Sequence, residues 1–364
     1  MRKTVIARRL PIPNPDFQLP MLLRPLSPDE PANWPETLTR SATFTGLDSW
    51  LALAHQIYHF PLYRFQTETE DGVTGILALT QIHHPIFGRY LTTAPFGSYG
   101  GFAFDSAAAR DLLLTEARRL AQTLGVEYLN LRFLAPAENP PAGWIQQPLY
   151  RTFLVDLTPS AEERLKSYSS DHRNHIRKAL KKGFRLEFGR HELLADAYEA
   201  LARSMRELGS PYHAKNYLKS MAELLGDSLE VAVLYSAAGE LAGAGVFIRQ
   251  GSSVTNLHAN ILRAFRADYA GEFLYWQTME HYAAQGCTLF DLGRSLIGSG
   301  NEIFKMKWRP AALPLNYWYA LRPGAELPAL NQKNPKFAAA IWLWQRLPPF
   351  IVRAAGPLLI NGLA

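Results

Sequence analysis

One cysteine, Cys287, stands in 364 residues, so the chain can close no internal disulfide and can hold no metal through a set of thiolates. Its place in an apolar run reads as an inert buried thiol rather than a nucleophile. No apolar stretch reaches the length of a membrane-spanning helix. The leading MRKTVIARRLPIPNP carries positive charge without the continuous apolar segment of a signal peptide. The expected location is the cytoplasm. A G-x-S-x-G elbow, a P-loop and a dinucleotide fingerprint are all missing, which disfavours the serine-hydrolase, nucleotide-hydrolysing and dehydrogenase chemistries built on them. His172 and His175 lack the partners of a zinc motif, so no metal ligand is read from the sequence.

What is present is an ordinary globular mixture, 48% hydrophobic and 19% charged, at a length that predicts two domains. Net charge is +6, which favours acidic partners such as nucleotides, phosphates, RNA or anionic headgroups. Residues 1–41 are broken by Pro11, Pro13, Pro15, Pro20, Pro25, Pro28, Pro31 and Pro35 and read as an extended lead-in with one strand near Met21 to Leu23.

The pattern then predicts an α/β (α+β) protein with mixed, mostly antiparallel sheets and flanking helices. A first unit, 42–157, holds a helix from Thr45 to His55, two strands about an Asp71-Gly72 turn, and a strand at Arg89 to Thr93. A glycine-rich loop around Tyr99 follows, then a helix from Ser106 to Leu124 and strands at Val126 to Phe133 and Tyr150 to Leu157. A second unit, 158–325, opens with two helices. Ser160 and Glu163 have capping-box spacing for the first, and Ser170 with Asp171 opens the second. On that second helix His172, Ile176 and Leu180 make a packing row and Arg173, Arg177 and Lys181 a basic one, either a solvated face or a binding face. Strands at Val231 to Tyr235, Leu241 to Arg249 and Val254 to Asn260 precede a helix from Gly271 to Gln285, and Pro314 to Leu321 is the final strand. Residues 326–364 are an apolar helical tail. It packs on the protein's own body, joins two protomers, or lies at a membrane surface with Arg346 and Arg353 toward headgroups; the first is preferred.

The most unusual stretch is LFDLGRSLIGSGNEIFKMKW, Leu289 to Trp308. CTLFDL reads as a buried strand ending near Asp291. GRSLIGSG is a loop in which Gly298 and Gly300 permit special backbone shapes, and its N–H groups can converge on an anion. NEIFKMKW resumes helical spacing, which places Lys305 in the first turns beside the positive end of the dipole.

FDLGRS, the Gly-Ser-Gly turn and FK-x-x-W resemble the signature of the FemAB-like branch of the GNAT acyltransferases, in particular the FemAB-related proteins associated with XrtA/PEP-CTERM exopolysaccharide systems. The R-x-x-I-R-K-A helix, FGSYGG and the tail elements N-P-K-F, W-x-x-L-P and Gly-Pro extend the resemblance from about Thr45 to the C-terminus. Leu292, Ser299 and Arg309 replace an aromatic, a threonine and a glycine of the pattern. Before the Gly271 helix, RAFRADYAGEF lacks the family's pyrophosphate cradle, which disfavours ordinary acetyl-CoA.

The resemblance implies tandem GNAT-like domains and direct transfer of an acyl or aminoacyl group to an amine in cell-envelope or exopolysaccharide biosynthesis. No covalent enzyme intermediate and no tightly bound cofactor are implied. The donor would be an acyl carrier thioester, acyl-CoA or aminoacyl-tRNA, with tRNA disfavoured because the second unit has no room for a long helical arm. Partners would be a small-molecule or lipid-linked amine and an acyl carrier protein. Lys305 would stabilise an oxyanion or donor phosphate, and Arg294 would hold a carboxylate or phosphate. Asp291 would either accept the amine's proton or pair Arg294. Tyr99 is a substrate contact or an aromatic packed in its turn. Arg173, Arg177, Ser295, Gly298 and Gly300 are candidate binding residues, Tyr275 a weaker pocket residue, and His213 and His258 proton acceptors or packed histidines. A catalytically silent module that binds a sugar, nucleotide or lipid-linked precursor is the alternative.

Overall fold

The computed structural model describes residues 21–27, 30–134, 139–328 and 338–364. The lead-in before residue 21 and the N-P-K-F element lie outside them. The first part of the chain runs β1 (Leu22–Leu26), α1 (Glu36–Ala42), α2 (Asp48–Tyr58), β2 (Leu62–Thr69), β3 (Gly72–His84), β4 (Gly88–Thr92), β5 (Phe102–Phe104), α3 (Ala107–Leu124), β6 (Tyr128–Phe133), β7 (Ile145–Gln146) and β8 (Tyr150–Asp156). It continues through α4 (Ala161–Ser167), α5 (Ser170–Leu180), β9 (Arg185–Gly189), α6 (Leu194–Leu208), α7 (Asn216–Leu225), β10 (Leu229–Tyr235), β11 (Leu241–Gln250), β12 (Ser253–Ile261) and α8 (Ala270–Ala284). It ends with β13 (Leu289–Asp291), β14 (Ser295–Leu296), α9 (Gly300–Met306), β15 (Ala311–Pro314), β16 (Asn316–Leu321), α10 (Ala338–Arg346) and α11 (Pro349–Ile360).

Two sheets form, and their orders match position for position. The first is β1-β2-β3-β4-β6-β16-β7 with β5 beside β3. The second, read in the same sense, is β9-β10-β11-β12-β13-β8-β14 with β15 beside β8. Each has one parallel pair, β4 with β6 and β12 with β13, and the connection between those strands carries a helix, α3 or α8. A parallel pair needs such a crossover, and the helix covers the sheet face it crosses. Thus α3 packs Leu113, Leu114 and Leu120 with Leu77, Leu91 and Leu129. Similarly, α8 joins Leu274, Met279 and Tyr282 to the core of Phe153, Phe247 and Phe290, while α6 and α7 cover the opposite face through Leu201, Leu218 and Met221. The internal duplication lies in topology rather than in repeated residues.

The strand after each parallel pair is exchanged. The stretch expected to close the first unit, β8, lies in the second sheet, and the expected final strand of the second unit is split at Leu315. Ala311–Pro314 pairs with β8, whereas Asn316–Leu321 pairs with β6 in the first sheet. Apolar alternation identifies a strand but not its neighbour, so a boundary drawn at 157/158 separates strands that the sheets interlock. The exchange brings loops of both sheets together.

At the second unit's opening the Ser160–Glu163 capping box forms, while the cap of α5 is Ser169, one residue before the expected start. On α5 the buried row is His172, Ile176 and Ala179; Leu180 is 43% exposed, because a spacing of four drifts around the helix and three-then-four keeps to one face. The described tail packs on the body: Trp344 Nε1 donates to the Ser210 carbonyl at 3.1 Å and Arg206 Nε to that of Leu347 at 2.9 Å. Tyr90 hydroxyl donates to the Gly362 carbonyl at 3.0 Å. Trp342, Leu343, Phe350 and Leu358 stay exposed. Among the described residues no helix is long and apolar enough to cross a membrane.

Candidate active site

Strand β12 carries one extra residue, Leu257, between its pairings of Asn256 with Phe247 and of His258 with Val246. A bulge bends the strand that carries it. The parallel pairing of β12 with β13 correspondingly covers only Ser253 to Thr255 opposite Leu289 to Asp291. Asp291 therefore sits where the two strands part, and Thr255, Asn256, Leu257, Ser98 and Tyr99 line a small recess beside it.

The Asp291 carboxylate is buried and accepts three hydrogen bonds: Tyr99 hydroxyl to Oδ2 at 2.8 Å, Thr152 hydroxyl to Oδ1 at 2.6 Å and Gly293 N–H to Oδ1 at 2.8 Å. Burial pushes its pKa above the ordinary carboxylate value, with Thr152, Gly293, Tyr99 and the Lys305 charge acting against that rise. Burial holds the Tyr99 phenol well above its usual range, so Tyr99 is a donor here. It is 7% exposed, and its hydroxyl is spent on Asp291 rather than presented to an acceptor.

Lys305 is in the last turn of the seven-residue α9, not beside its positive end. Its ammonium donates to the Gly293 and Arg294 carbonyls, both at 2.8 Å. Burial lowers its pKa to about 7, opposed by Asp291 and assisted by Arg294. Gly293 has φ +73°, and a Cβ there would lie 3.0 Å from the Asn256 carbonyl oxygen; backbone conformation and space both select glycine. Lys305 thus ties the loop that follows the carboxylate.

The N–H groups of Gly293, Arg294 and Gly298 are taken by the protein itself. Gly298, at φ +72°, donates to Glu302 Oε2 at 2.5 Å, Gly293 to Asp291, and Arg294 N–H to Ser98 Oγ at 3.3 Å. Two carboxylates of the chain fill the anion role expected for a ligand. Gly300 opens α9 with open space around it, and Ser295 is buried with its hydroxyl unpartnered.

Arg294 makes no ion pair with Asp291. Its Nη1 donates to Tyr317 hydroxyl at 2.5 Å, its guanidinium lies 5.1 Å from the Tyr150 ring centroid, and Tyr317 donates onward to the Ser98 carbonyl at 2.8 Å. Arg294, Tyr150, Tyr317, Tyr319 and Arg132 line a cleft of about 740 Å³ between the two sheets, into which Ser295, Gly298 and Gly300 also face. Only Ser98 and the Gly293–Arg294 backbone connect this cleft to the Asp291 recess by the bonds above.

Tyr275 stands one layer behind, its hydroxyl accepting from Asn256 Nδ2 at 2.9 Å. His213 and His258 are elsewhere. His213 stacks on Tyr217 at 3.6 Å, its Nδ1 is 2.5 Å from Tyr58 hydroxyl, and burial holds both imidazoles low, His258 at about 4. Packed and neutral, they have no described hydrogen bond or ring contact to Asp291, Arg294 or Lys305. Arg173 donates to the Lys166 and Tyr168 carbonyls, joining α5 to α4, and Arg177 is exposed to solvent. Neither reaches the site.

Residues that sequence reasoning missed are Ser98, Thr152, Asn256 and the tyrosines of the cleft. The alternation Tyr317-Trp-Tyr319 was a usable signal, since alternate strand residues share a face.

Residues 166–306 match the family model described as an acetyltransferase (GNAT) domain. Among solved structures, FemX aligns at a TM-score of 0.60 and 14% identity over 78% of this chain and 93% of its own. A tandem GNAT protein from the clavulanic acid biosynthesis pathway aligns at 0.53 and 14% over 85% and 100%. The C-terminal domain of a putative lysylphosphatidylglycerol synthetase from Agrobacterium fabrum aligns at 0.52 and 14% over 78% and 89%. At this level of identity the superpositions show a shared fold alone, the GNAT fold, with two mixed sheets as in the tandem GNAT neighbour. No curated protein sequence matches the chain.

Proposed function

We propose that the chain transfers an acyl or aminoacyl group directly from an activated ester or thioester to an amine. The observation that supports this reading best is a buried carboxylate with a raised pKa placed where β12 and β13 separate, next to an arginine-lined cleft. Among the described residues the edge of β12 beyond Thr255 has no paired strand on the β13 side, and an extended acyl donor would lie along it as a partial strand, the β13 side being held by Phe153, Asp291 and Lys305. Asp291, oriented by Tyr99 and Thr152, takes the proton that the amine loses as its nitrogen attacks the carbonyl carbon. The carbonyl becomes an oxyanion, which collapses to the amide as the donor's alkoxide or thiolate leaves and gains a proton. An ammonium has three N–H bonds; Lys305 uses two on the loop and offers the third to that oxyanion. Arg294 holds an anionic group of the acceptor.

The acceptor on this reading is an amine of a cell-envelope or exopolysaccharide precursor, a choice that rests on the FemAB-like motif. The donor is an acyl-CoA or acyl carrier thioester. No long helical arm for tRNA stands in the second half among the described residues, where α6 and α8 are the longest helices at 15 residues each. Incubation with amino sugars and acyl-CoA, acyl carrier and aminoacyl-tRNA donors, read by mass spectrometry, tests the reading. N-acylated product supports it. Arg294→Lys raises KM for an anionic acceptor about 10-fold with kcat nearly kept, as lysine lacks the planar fork.

A silent binding module is the second reading, favoured by one feature. Where a CoA pyrophosphate would meet α8, Tyr269 stands at φ +60° against the His175 ring, with Lys178 5.8 Å from its own centroid. Ligand binding without turnover on any donor would support that reading instead.

A further inference from the structure

Between α5 and α8, away from Asp291, buried polar atoms gather without partners. His172 is 1% exposed, and neither of its ring nitrogens has a hydrogen bond. His175 Nδ1, Tyr168 hydroxyl and Trp308 Nε1 are also buried and without a hydrogen bond. The groups are neighbours: His172 meets Trp308 edge-on at 4.4 Å and Tyr168 at 5.3 Å between ring centroids. Each orphaned buried group costs on the order of 1–3 kcal/mol, so their concentration in one place points to a missing occupant.

The groups facing that place have the donor chemistry of a metal site. His172 and His175, three residues apart, project from one face of α5, and Glu272 comes from the first turn of α8. One atom from each of the three lies within 4.8 Å of the others, and His175 Nδ1 is 3.8 Å from Glu272 Oε1. Ligand atoms of a tetrahedral zinc ion stand about 3.4 Å apart, given bonds of about 2.1 Å, so rotamer adjustments of about an ångström close the set. Two imidazole nitrogens and one carboxylate oxygen leave a fourth position for water.

We infer that His172, His175 and Glu272 form a binding site for a divalent transition ion of the zinc class, fastening α5 to α8. The sequence hides it, because Glu272 is remote in the chain from a histidine pair that has no motif of its own. Lys307 is the competitor. Its ammonium lies 3.6 Å from Glu272 Oε1 and its side chain is 36% exposed, so it can swing to solvent and cede the carboxylate. Metal and ammonium are alternative counter-charges for one acid. The site serves stability: Trp308, edge-on to His172, lies 6.1 Å from the Tyr275 ring between centroids, and none of the three ligands touches Asp291.

The test uses the full chain, stripped with a chelator and titrated with Co²⁺, followed by visible absorption and by metal content after Zn²⁺ loading. The expected result is one ion per chain, a low-symmetry Co²⁺ spectrum and a higher melting temperature with metal, since binding only the folded state stabilises it. Glu272→Gln, which keeps the side chain's shape, weakens Co²⁺ binding at least about 10-fold, and Lys307→Met tightens it by a similar factor, each 10-fold step being about 1.4 kcal/mol. Circular dichroism checks that both variants fold. No stoichiometric binding by the wild type overturns the proposal, as does binding that Glu272→Gln leaves unchanged. Binding seen only in Lys307→Met also overturns it, because lysine is then the native counter-charge.

Discussion

Tyr99 donates its phenolic hydroxyl to Asp291 Oδ2 at 2.8 Å across 192 residues of chain, joining a loop of the first sheet to a strand end of the second. The bond makes the carboxylate's protonation depend on the docking of the two halves. Replacing Tyr99 by Phe removes a donor that favours the ionised acid, so the Asp291 pKa rises further. The acid limb of kcat/KM then moves to higher pH, and stability falls by about 1–2 kcal/mol through the unpaired acceptor. A limb that stays in place while the rate changes would remove Asp291 from the proton transfer.

Lys305 titrates at about 7 in the folded protein, against about 10.4 in an unfolded chain. Between those values the unfolded state binds the extra proton, so this residue makes stability rise with pH, by up to about 1.4 kcal/mol per unit. Below about pH 7 both states are protonated and the contribution is flat. In Lys305→Met the rise disappears. Urea unfolding of both proteins at about pH 6.5 and about pH 9 should show the wild type gaining on the variant at the higher pH; a constant difference would mean that the ammonium is not perturbed.

Arg309 adopts φ +50° at the turn after α9 and is exposed to solvent. An arginine in this left-handed conformation costs about 1–2 kcal/mol. Arg309→Gly removes that strain but loosens the unfolded chain, so the expected net gain is on the order of 0.5 kcal/mol. It is read from the urea midpoint at an unchanged m-value. Lower stability in the variant would show that the arginine side chain holds the turn.

Asp291 was legible at a strand end, and the loop after it as a glycine bend, because both are set by a few adjacent residues. What the bend does was not. The glycine pattern predicts amides free to bind an anion, but Asp291 and Glu302 occupy those of Gly293 and Gly298; helical spacing predicts Lys305 beside the start of α9, whereas it lies in the last turn and ties the loop. The parting of β12 from β13 depends on one extra residue, Leu257, which no periodicity marks. The exchange of β8 with β16 was out of reach for a similar reason: alternation assigns a face, while the neighbour is decided by packing. His213 and His258 were suggested by a near-neutral reference pKa that burial then removed.

The most direct measurement is the rate of N-acyl product formation by Asp291→Asn, which keeps the side chain's size while removing its charge, in the donor and acceptor pair that the wild type turns over. If the buried carboxylate takes the amine's proton, kcat falls at least about 100-fold, with the fold retained by circular dichroism and the acid limb of the pH profile gone. Product made at the wild-type rate with the same pH profile would contradict the account and put the proton transfer elsewhere.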